Sequence, residues 1–226
     1  MKRSEINTAL EWAVALLEKN NIKLPDFAYW STTEWQKNRN KIDVIKAVMQ
    51  GWDITDFGSG DFEKTGAVLF TVRNGLQNDS SVGSPYAEKY ILVKDGQGLP
   101  THFHAQKTED IINRGGGVLS LRFYNANPDN TVDTQSDVFV FSDGLRLTLK
   151  AGEEVLLKPG NSVTITPRLY HNFSAKAGEG DLIVGEVSSV NDDKTDNYFS
   201  EPANRFAAID EDVPVLYPLC NEYDNI

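Results

Sequence analysis

Cysteine, histidine and long apolar runs are all scarce in this chain of 226 residues. With a single cysteine, Cys220, the chain cannot form an internal disulfide bond, which is typical of proteins from a reducing compartment. No run approaches the roughly 18 apolar residues that a membrane-spanning helix needs. The opening residues MKRSEINTALEW contain no uninterrupted apolar segment of the kind found in signal peptides. We therefore expect a soluble, cytoplasmic protein.

Positive charge is also in short supply. The chain has 22 Lys and Arg against 33 Asp and Glu, which gives a net charge of −11 and a pI near 4.7. An acidic surface disfavours nucleic acid and anionic membranes as partners, but it sets no limit on a neutral small molecule. The hydrophobic share of 40% is enough for a buried core.

The spacing of apolar residues changes from a helical period to a period of two along the chain. It predicts helices over residues 4–19 and 42–49, and the capping-box pattern that starts at Ser31 predicts another helix between them. From Trp52 onward, short alternating segments separated by Gly, Asp and Asn predict strands, one of which is continuous over residues 102–112. Short strands at regular spacing favour an antiparallel sandwich or barrel.

These elements predict one structural domain with three regions. Residues 1–51 form a helical region that packs outside the barrel, residues 52–190 form the barrel, and residues 191–226 form a tail that closes the barrel mouth. The polar first half of the tail is also compatible with disorder. Its aromatic residues, which include Tyr198 and Phe199, favour a tail that packs back onto the domain.

The three histidines of the chain and one carboxylate are the candidate metal ligands. His102 and His104 are two residues apart, so on a strand both side chains point to the same face. Glu109 follows them closely, and His171 lies in the later segment PRLYHNF. Three nitrogens and one carboxylate suit Mn, Fe, Co, Ni or Zn rather than Ca or Mg. Four protein ligands leave coordination positions open, which indicates chemistry rather than a structural role.

The spacing of the first three ligands resembles a known motif. A bare HxH pair is often a chance surface alternation, but here the pattern from Gly96 to Gly116 reads G-x5-HxH-x4-E-x6-G. This pattern resembles the first motif of the cupin superfamily, and the segment around His171 resembles the end of the second. The resemblance implies a mainly β fold, a single double-stranded β-helix barrel, with both motifs meeting at its mouth.

Two lysines are candidates for acid or base chemistry beside the metal. Lys107 lies two residues before Glu109, so it points inward on the same side if the strand there is regular. Lys89 shares a strand face with Ile91 and Val93, which is unusual for a solvated lysine. A lysine near a cationic metal in a partly dry site would have its neutral form favoured. The alternative for each is an ordinary solvated lysine.

Three further charged residues are each compatible with two interpretations. Glu201 and Arg205 are four apart in the tail, so they form either a surface ion pair on a helical turn or a catalytic base and a ligand for a substrate hydroxyl. Glu186, on the last predicted strand, points either inward or outward.

A closer resemblance covers nearly the whole chain. The helical start, the run PYAEKYILVKDGQGLPTHFHAQKTEDIINRGGG and the tail SEPANRFAAIDEDVPVLYPLCNEY resemble the D-lyxose isomerases among the cupin-type sugar isomerases. The resemblance implies a homodimeric aldose–ketose isomerase that depends on manganese, with cobalt or another divalent metal as the alternative. It implies interconversion of D-lyxose with D-xylulose and of D-mannose with D-fructose. It carries the metal ligands over to His102, His104, Glu109 and His171, and it favours site roles for Lys107, Glu201 and Arg205.

The reaction moves a hydrogen between C1 and C2 of an open-chain sugar. A base that removes the C2 proton gives a cis-enediol, and we expect Glu201 and Lys107 to share the proton transfers, with Lys89 as a further candidate. A metal-assisted hydride shift is the competing mechanism. Two other functions are compatible with the ligand set, a cupin Fe(II) dioxygenase and a non-catalytic sugar-binding cupin. The lysine, glutamate and arginine candidates favour a polyol substrate over the aromatic substrates of a dioxygenase.

Overall fold

The computed structural model of the chain describes residues 1–192 and 195–225. The α-helices are α1 (Arg3–Lys19), α2 (Thr32–Asn38) and α3 (Asp43–Ala47), and single 3₁₀ turns lie at Asp26–Tyr29 and Tyr223–Asn225. The strands are β1 (Gly51–Thr55), β2 (Ala67–Leu76), β3 (Asp79–Val93), β4 (His102–His104), β5 (Glu109–Gly116), β6 (Leu119–Ala126), β7 (Val132–Asp133), β8 (Val138–Ser142), β9 (Leu145–Leu149), β10 (Glu154–Leu157), β11 (Ser162–Ile165), β12 (Leu169–Ala175), β13 (Leu182–Ser189) and β14 (Asn197–Phe199). Residues 193, 194 and 226 of the predicted tail lie outside the described residues.

The strands form two antiparallel sheets with the main core between them. The larger sheet has the order β1-β2-β3-β13-β5-β11-β8-β9, and the smaller has the order β10-β6-β12-β4-β14 with β7 on β6. The core contains buried residues of both sheets, such as Ile91 and Val163 from the larger and Leu121 and Phe173 from the smaller. The predicted mainly β barrel with helices at the N-terminus is confirmed.

Helix α1 packs against the outer face of the larger sheet. Successive residues of β2 alternate between the two sides: Leu69 belongs to the barrel core, whereas Val68 and Phe70 pack in the cluster that includes Leu10 and Leu17 of α1. Helix α2 opens with the predicted capping box, since Ser31 Oγ accepts from the Glu34 amide at 3.3 Å. No helix among the described residues is long and apolar enough to cross a membrane.

The predicted continuous strand over residues 102–112 is wrong. Strand β4 ends at His104 in the smaller sheet, and β5 begins at Glu109 in the larger sheet, so the chain crosses from one sheet to the other between them. The amides of Gln106 and Lys107 in this turn donate to the carboxylate of Asp196 at 2.8 and 3.1 Å rather than to a neighbouring strand. The turn is therefore stabilised by a side chain from a distant part of the sequence.

The described part of the tail returns across the domain. Strand β14 pairs with β4, with Phe199 opposite His102. Further along, Arg3 of α1 is fully buried and forms ion pairs with Glu211 and Glu222. The first helix and the last residues of the chain are thus joined by a buried guanidinium.

Candidate metal centre

Four predicted ligands come together at one point inside the barrel. His102 and His104 lie on β4, His171 lies directly opposite His102 on β12, and Glu109 opens β5. Candidate ligand atoms of the three histidines lie within 4.8 Å of one another. Glu109 Oε1 lies 3.1 Å from His171 Nε2 and 3.4 Å from His104 Nε2. All four side chains are buried.

The backbone fixes the orientation of two of the imidazoles. Nδ1 of His102 lies 2.9 Å from the carbonyl oxygen of Pro100, and Nδ1 of His171 lies 3.0 Å from that of Leu169. A carbonyl only accepts, so Nδ1 carries the hydrogen in each ring and a neutral ring presents the lone pair of Nε2 to the interior. Nε2 of His171 and a carboxylate oxygen of Glu109 are 3.1 Å apart, so both atoms face the same point inside the barrel. A cation at that point, a proton or a metal ion, would lie between an imidazole nitrogen and a carboxylate oxygen.

The separations also fit a metal ion. Ligand distances of about 2.0–2.2 Å place neighbouring ligand atoms about 3.0 Å apart in octahedral and about 3.4 Å apart in tetrahedral geometry. The two carboxylate–imidazole distances of 3.1 and 3.4 Å lie within that range. The three histidines can therefore hold a metal ion, with Glu109 as a fourth ligand of the right chemistry for a divalent transition metal.

A buried network of charges adjoins these four residues. Lys107 Nζ lies 2.7 Å from Glu109 Oε2 and 2.9 Å from Glu186 Oε1. Lys89 Nζ lies 3.6 Å from the same oxygen of Glu186, which also accepts from Ser188 Oγ at 3.0 Å. The four charged side chains are each at most 5% exposed, so they interact at low effective dielectric constant.

These contacts set the protonation states at neutral pH. Burial lowers the pKa of Lys107, but Glu109 and Glu186 outweigh burial and hold that pKa above its usual value. Burial raises the pKa of Glu186, but Lys107 and then Lys89 pull it below its usual value. Contact of its ammonium group with two buried carboxylates favours the charged form of Lys107, the opposite of the effect expected from a nearby metal ion.

The pKa values of the candidate ligands also shift. Burial raises the pKa of Glu109, but Lys107 and then His104 bring it well below its usual value. Burial lowers the pKa of His102, and the neighbouring His171 and His104 lower it further. A deprotonated carboxylate and a neutral imidazole are the forms that bind metal ions.

The cavity beside the ligands is small and is partly formed by the tail. Its volume is about 50 Å³, room for only a few water molecules. The tail contributes Asn197, Phe199 and Arg205 to its wall. Arg205 Nη1 also lies 2.7 Å from Asp53 Oδ2 on β1. A larger cavity of about 840 Å³ lies beside the start of α1, but none of the candidate ligands lines it.

The other predicted site residues have different positions. Lys89, Lys107 and Arg205 line the cavity, whereas Glu201 is exposed and does not line it. This position argues against the expected role of Glu201 as a base that faces the metal. Glu186, whose direction was left open, points inward, and the sequence reasoning missed Asp196. The available signal was that Glu186 lies two residues after Val184, which is buried, so both side chains point to the same side of the strand.

Comparison with known proteins gives one consistent family. The family model for D-lyxose isomerase matches residues 1–223. A D-lyxose/D-mannose isomerase of Escherichia coli O157:H7 is 45% identical over 224 residues, which cover 99% of this chain and 98% of that protein. The corresponding protein of Serratia proteamaculans is 42% identical with the same coverage.

Solved structures share the fold at low identity. An L-ribose isomerase of Acinetobacter sp. DL28, in complex with L-ribose, matches with a TM-score of 0.61 at 16% identity and covers 93% of this chain and 98% of that chain. An L-ribose isomerase of Cellulomonas parahominis with L-ribose matches with a TM-score of 0.57 at 17% identity and the same coverage. These similarities support the predicted cupin-type barrel.

Proposed function

The chain belongs to the D-lyxose isomerase family and is a sugar isomerase, and we propose that it interconverts D-lyxose with D-xylulose and D-mannose with D-fructose. The observation that carries this proposal is the position of the buried Lys107–Glu186 pair directly beside the three histidines and Glu109. A metal site alone would serve many cupins. A protonated amine and a buried carboxylate beside it are the groups that an aldose–ketose isomerisation needs.

His102, His104, Glu109 and His171 would hold the metal ion, for which we propose Mn²⁺, with Co²⁺ as the alternative. When bound, the ion supplies a Lewis acid that polarises the sugar carbonyl. The lowered pKa values of His102, His104 and Glu109 support this set, because a neutral imidazole and a deprotonated carboxylate bind a cation without first losing protons.

We assign the proton transfers to Glu186 and Lys107. Glu186 Oε1 is held by Lys107 and Ser188, so its other oxygen would accept the proton from C2 of the sugar. Lys107 is charged and would donate a hydrogen bond or a proton to the oxygen that gains negative charge. Loss of the proton from the C2 hydroxyl, which replaces the proton given to O1, and return of the C2 proton to C1 would complete the reaction through a cis-enediol. Glu201, the base expected from the sequence, is replaced in this proposal because it is exposed.

The tail and two cationic side chains would bind the sugar. Arg205 and Lys89 line the cavity and supply hydrogen-bond donors for hydroxyl groups. Because the cavity has a volume of only about 50 Å³, the sugar has to displace part of its wall, and Phe199 and Arg205 belong to the tail. We therefore propose that residues 191–226 close the mouth of the barrel of residues 52–190, with the helical residues 1–51 outside. We also propose a cytoplasmic homodimer.

Incubation of the manganese-loaded protein with D-lyxose or D-mannose tests the proposal, with the ketose followed by NMR. We expect D-xylulose and D-fructose, respectively. Absence of both products with Mn²⁺, Co²⁺ and Fe²⁺ would reject the isomerase. Oxygen consumption with Fe²⁺ would instead support the dioxygenase, and sugar binding without turnover would support the binding protein.

The same reaction in tritiated water distinguishes the two mechanisms. Proton transfer through an enediol incorporates label into the product, because the catalytic base exchanges its proton with solvent. A direct hydride shift leaves the product unlabelled even after many turnovers. We expect label at C1 of the ketose.

A further inference from the structure

We propose that Asp196 is a positioning residue of the metal site, which holds the turn carrying Lys107 and faces Nδ1 of His104. Asp196 is 4% exposed and lies just before β14, far from both partners in the sequence. This inference rests on the proposed function, because it assigns a supporting role within the same site.

Asp196 provides the main hydrogen bonds of the turn between the two ligand strands. Its Oδ1 accepts from the Gln106 amide at 2.8 Å, and its Oδ2 accepts from the Lys107 amide at 3.1 Å. Its carbonyl oxygen also accepts from the amide of Ala105 at 3.1 Å. Three consecutive amides of the turn are thus bound by one residue. The backbone of Lys107 is fixed where its Nζ reaches Glu109 and Glu186.

His104 is oriented differently from the other two histidines. His102 and His171 each have a backbone carbonyl within 3.0 Å of Nδ1, whereas Nδ1 of His104 is buried without a hydrogen-bond partner in the described part of the chain. Asp196 Oδ2 lies 3.9 Å from that atom. This separation exceeds a hydrogen bond, and Glu109 Oε1 lies 3.4 Å from the other ring nitrogen, Nε2. Asp196 and Glu109 therefore face opposite nitrogens of the same imidazole ring.

The position of Asp196 also links the tail to the site. The next residue, Asn197, pairs with His104 across β14 and β4. Docking of β14 therefore brings the carboxylate to the Lys107 turn and to His104 at the same time. Partners of metal-bound histidines typically affect metal affinity or activity by about 10–100-fold.

The test is Asp196→Asn, with Asp133→Asn as its matched control. Asp133 accepts from two consecutive amides, Gln135 and Ser136, at 2.8 and 3.1 Å, the same distances as Asp196. It lies on β7 and does not line the metal cavity. Both substitutions remove one negative charge. The amide oxygen of asparagine can replace Oδ1 of Asp133, which accepts both bonds, but only one of the two oxygens through which Asp196 acts. The control therefore reports the effect of losing a capping charge away from the site.

The measurements are Mn²⁺ affinity of the metal-free protein by calorimetry, the visible spectrum of the Co²⁺ form, and steady-state kinetics with D-lyxose. For Asp196→Asn we expect a Kd for Mn²⁺ about tenfold higher or more, a changed Co²⁺ spectrum, and a kcat at least about tenfold lower with little change in KM. For Asp133→Asn we expect the parent values. The melting temperature of the metal-free protein should be similar in the two variants.

Parent-like Mn²⁺ affinity and kcat in Asp196→Asn would overturn the inference. If the melting temperature of Asp196→Asn is well below that of Asp133→Asn, the same measurements are made on a second variant, Asp196→Glu, which restores the charge. Recovery of Mn²⁺ affinity in Asp196→Glu supports the positioning role, and no recovery overturns it. A parent protein that neither binds Mn²⁺ nor isomerises D-lyxose rejects the proposed function itself, whereas an active parent with an unaffected variant rejects only the role of Asp196.

Discussion

At the scale of single residues, the clustering of the candidate metal ligands could be predicted, whereas the contacts of the charged residues beside them could not. The spacing of His102, His104 and Glu109 is local, so a sequence pattern carries it. Lys107 points inward as predicted, but for another reason, because it lies in a turn held by Asp196 rather than on a regular strand. Glu186 lies two residues after Val184, but β13 is buried on both faces from Leu182 to Glu186, so the alternation alone does not identify the face that points to the cavity.

Replacement of the Lys107 ammonium group should separate rate from metal binding. We expect Lys107→Ala to retain Mn²⁺ and to lower kcat by about 10²–10⁴-fold, the usual contribution of a general acid or base. Metal content and steady-state kinetics measure the two effects. Lys158→Ala is the control, because Lys158 is exposed just after β10 and does not line the cavity, so the substitution should leave both quantities unchanged. An unchanged kcat in Lys107→Ala contradicts the assignment.

The paired variants Glu186→Gln and Glu201→Gln decide which carboxylate is the base. Each removes one charge with little change of shape. Because Glu186 is buried against Lys107 and Glu201 is exposed, we expect a loss of kcat of about 10²-fold or more in Glu186→Gln alone. Steady-state kinetics with D-lyxose measures both. The reverse result would restore the role of Glu201 that the sequence suggested.

At the scale of elements, local patterns predicted the helices better than the connections. The capping box at Ser31 and the apolar stripe of α1 are both local signals, and both helices form. Helix α1 nevertheless begins at Arg3, one residue before the predicted start, and Ser4 in its first turn donates to Asp212 of the tail. The split between β4 and β5 depends on which sheet each strand joins. That choice is made by distant partners, so a single segment of sequence does not contain it.

The ion pairs between α1 and the tail should be important for stability. Arg3 is fully buried between Glu211 and Glu222, and we expect Arg3→Gln to lower the free energy of unfolding by about 2 kcal/mol, the scale of hydrogen bonds to charged groups. Urea unfolding measures the change. Lys46→Gln is the control, because its pair with Asp224 is exposed and should contribute less than about 1 kcal/mol. Equal losses of unfolding free energy in the two variants would contradict the stabilising role of the Arg3 ion pairs.

At the scale of the whole molecule, the alternating period predicted a barrel but not the strand order. Strand β13 lies between β3 and β5 in the larger sheet, although it is far from both in the chain. Ile91, Ile111 and Val184 of these strands are buried in one core. Burial of this kind is shared by all alternating strands, so it does not specify which of them are neighbours.

The acidic surface predicts a specific loss of stability in acid. Hydrogen bonds, mostly from neighbouring hydroxyl, amide and lysine groups, hold the pKa of several exposed carboxylates below their usual values, among them Asp79, Asp129 and Asp143. Because the unfolded chain then binds more protons near pH 4, this stabilisation is present above about pH 4 and is lost as the pH falls further. Urea midpoints of the metal-free protein between pH 7 and pH 3 measure it. A midpoint that stays constant down to pH 3 would contradict this prediction.

The four-ligand metal centre is the feature on which the proposed activity depends. Its most direct test is a titration of the chelator-treated protein with Mn²⁺, in which the rate of D-xylulose formation from D-lyxose is followed at each addition. We expect no activity without metal, a linear rise to a plateau at one Mn²⁺ per chain, and neither tight binding nor activity in His171→Ala. Full activity in the metal-free protein, or an unchanged titration in His171→Ala, would contradict the assignment of His102, His104, Glu109 and His171 as the metal site.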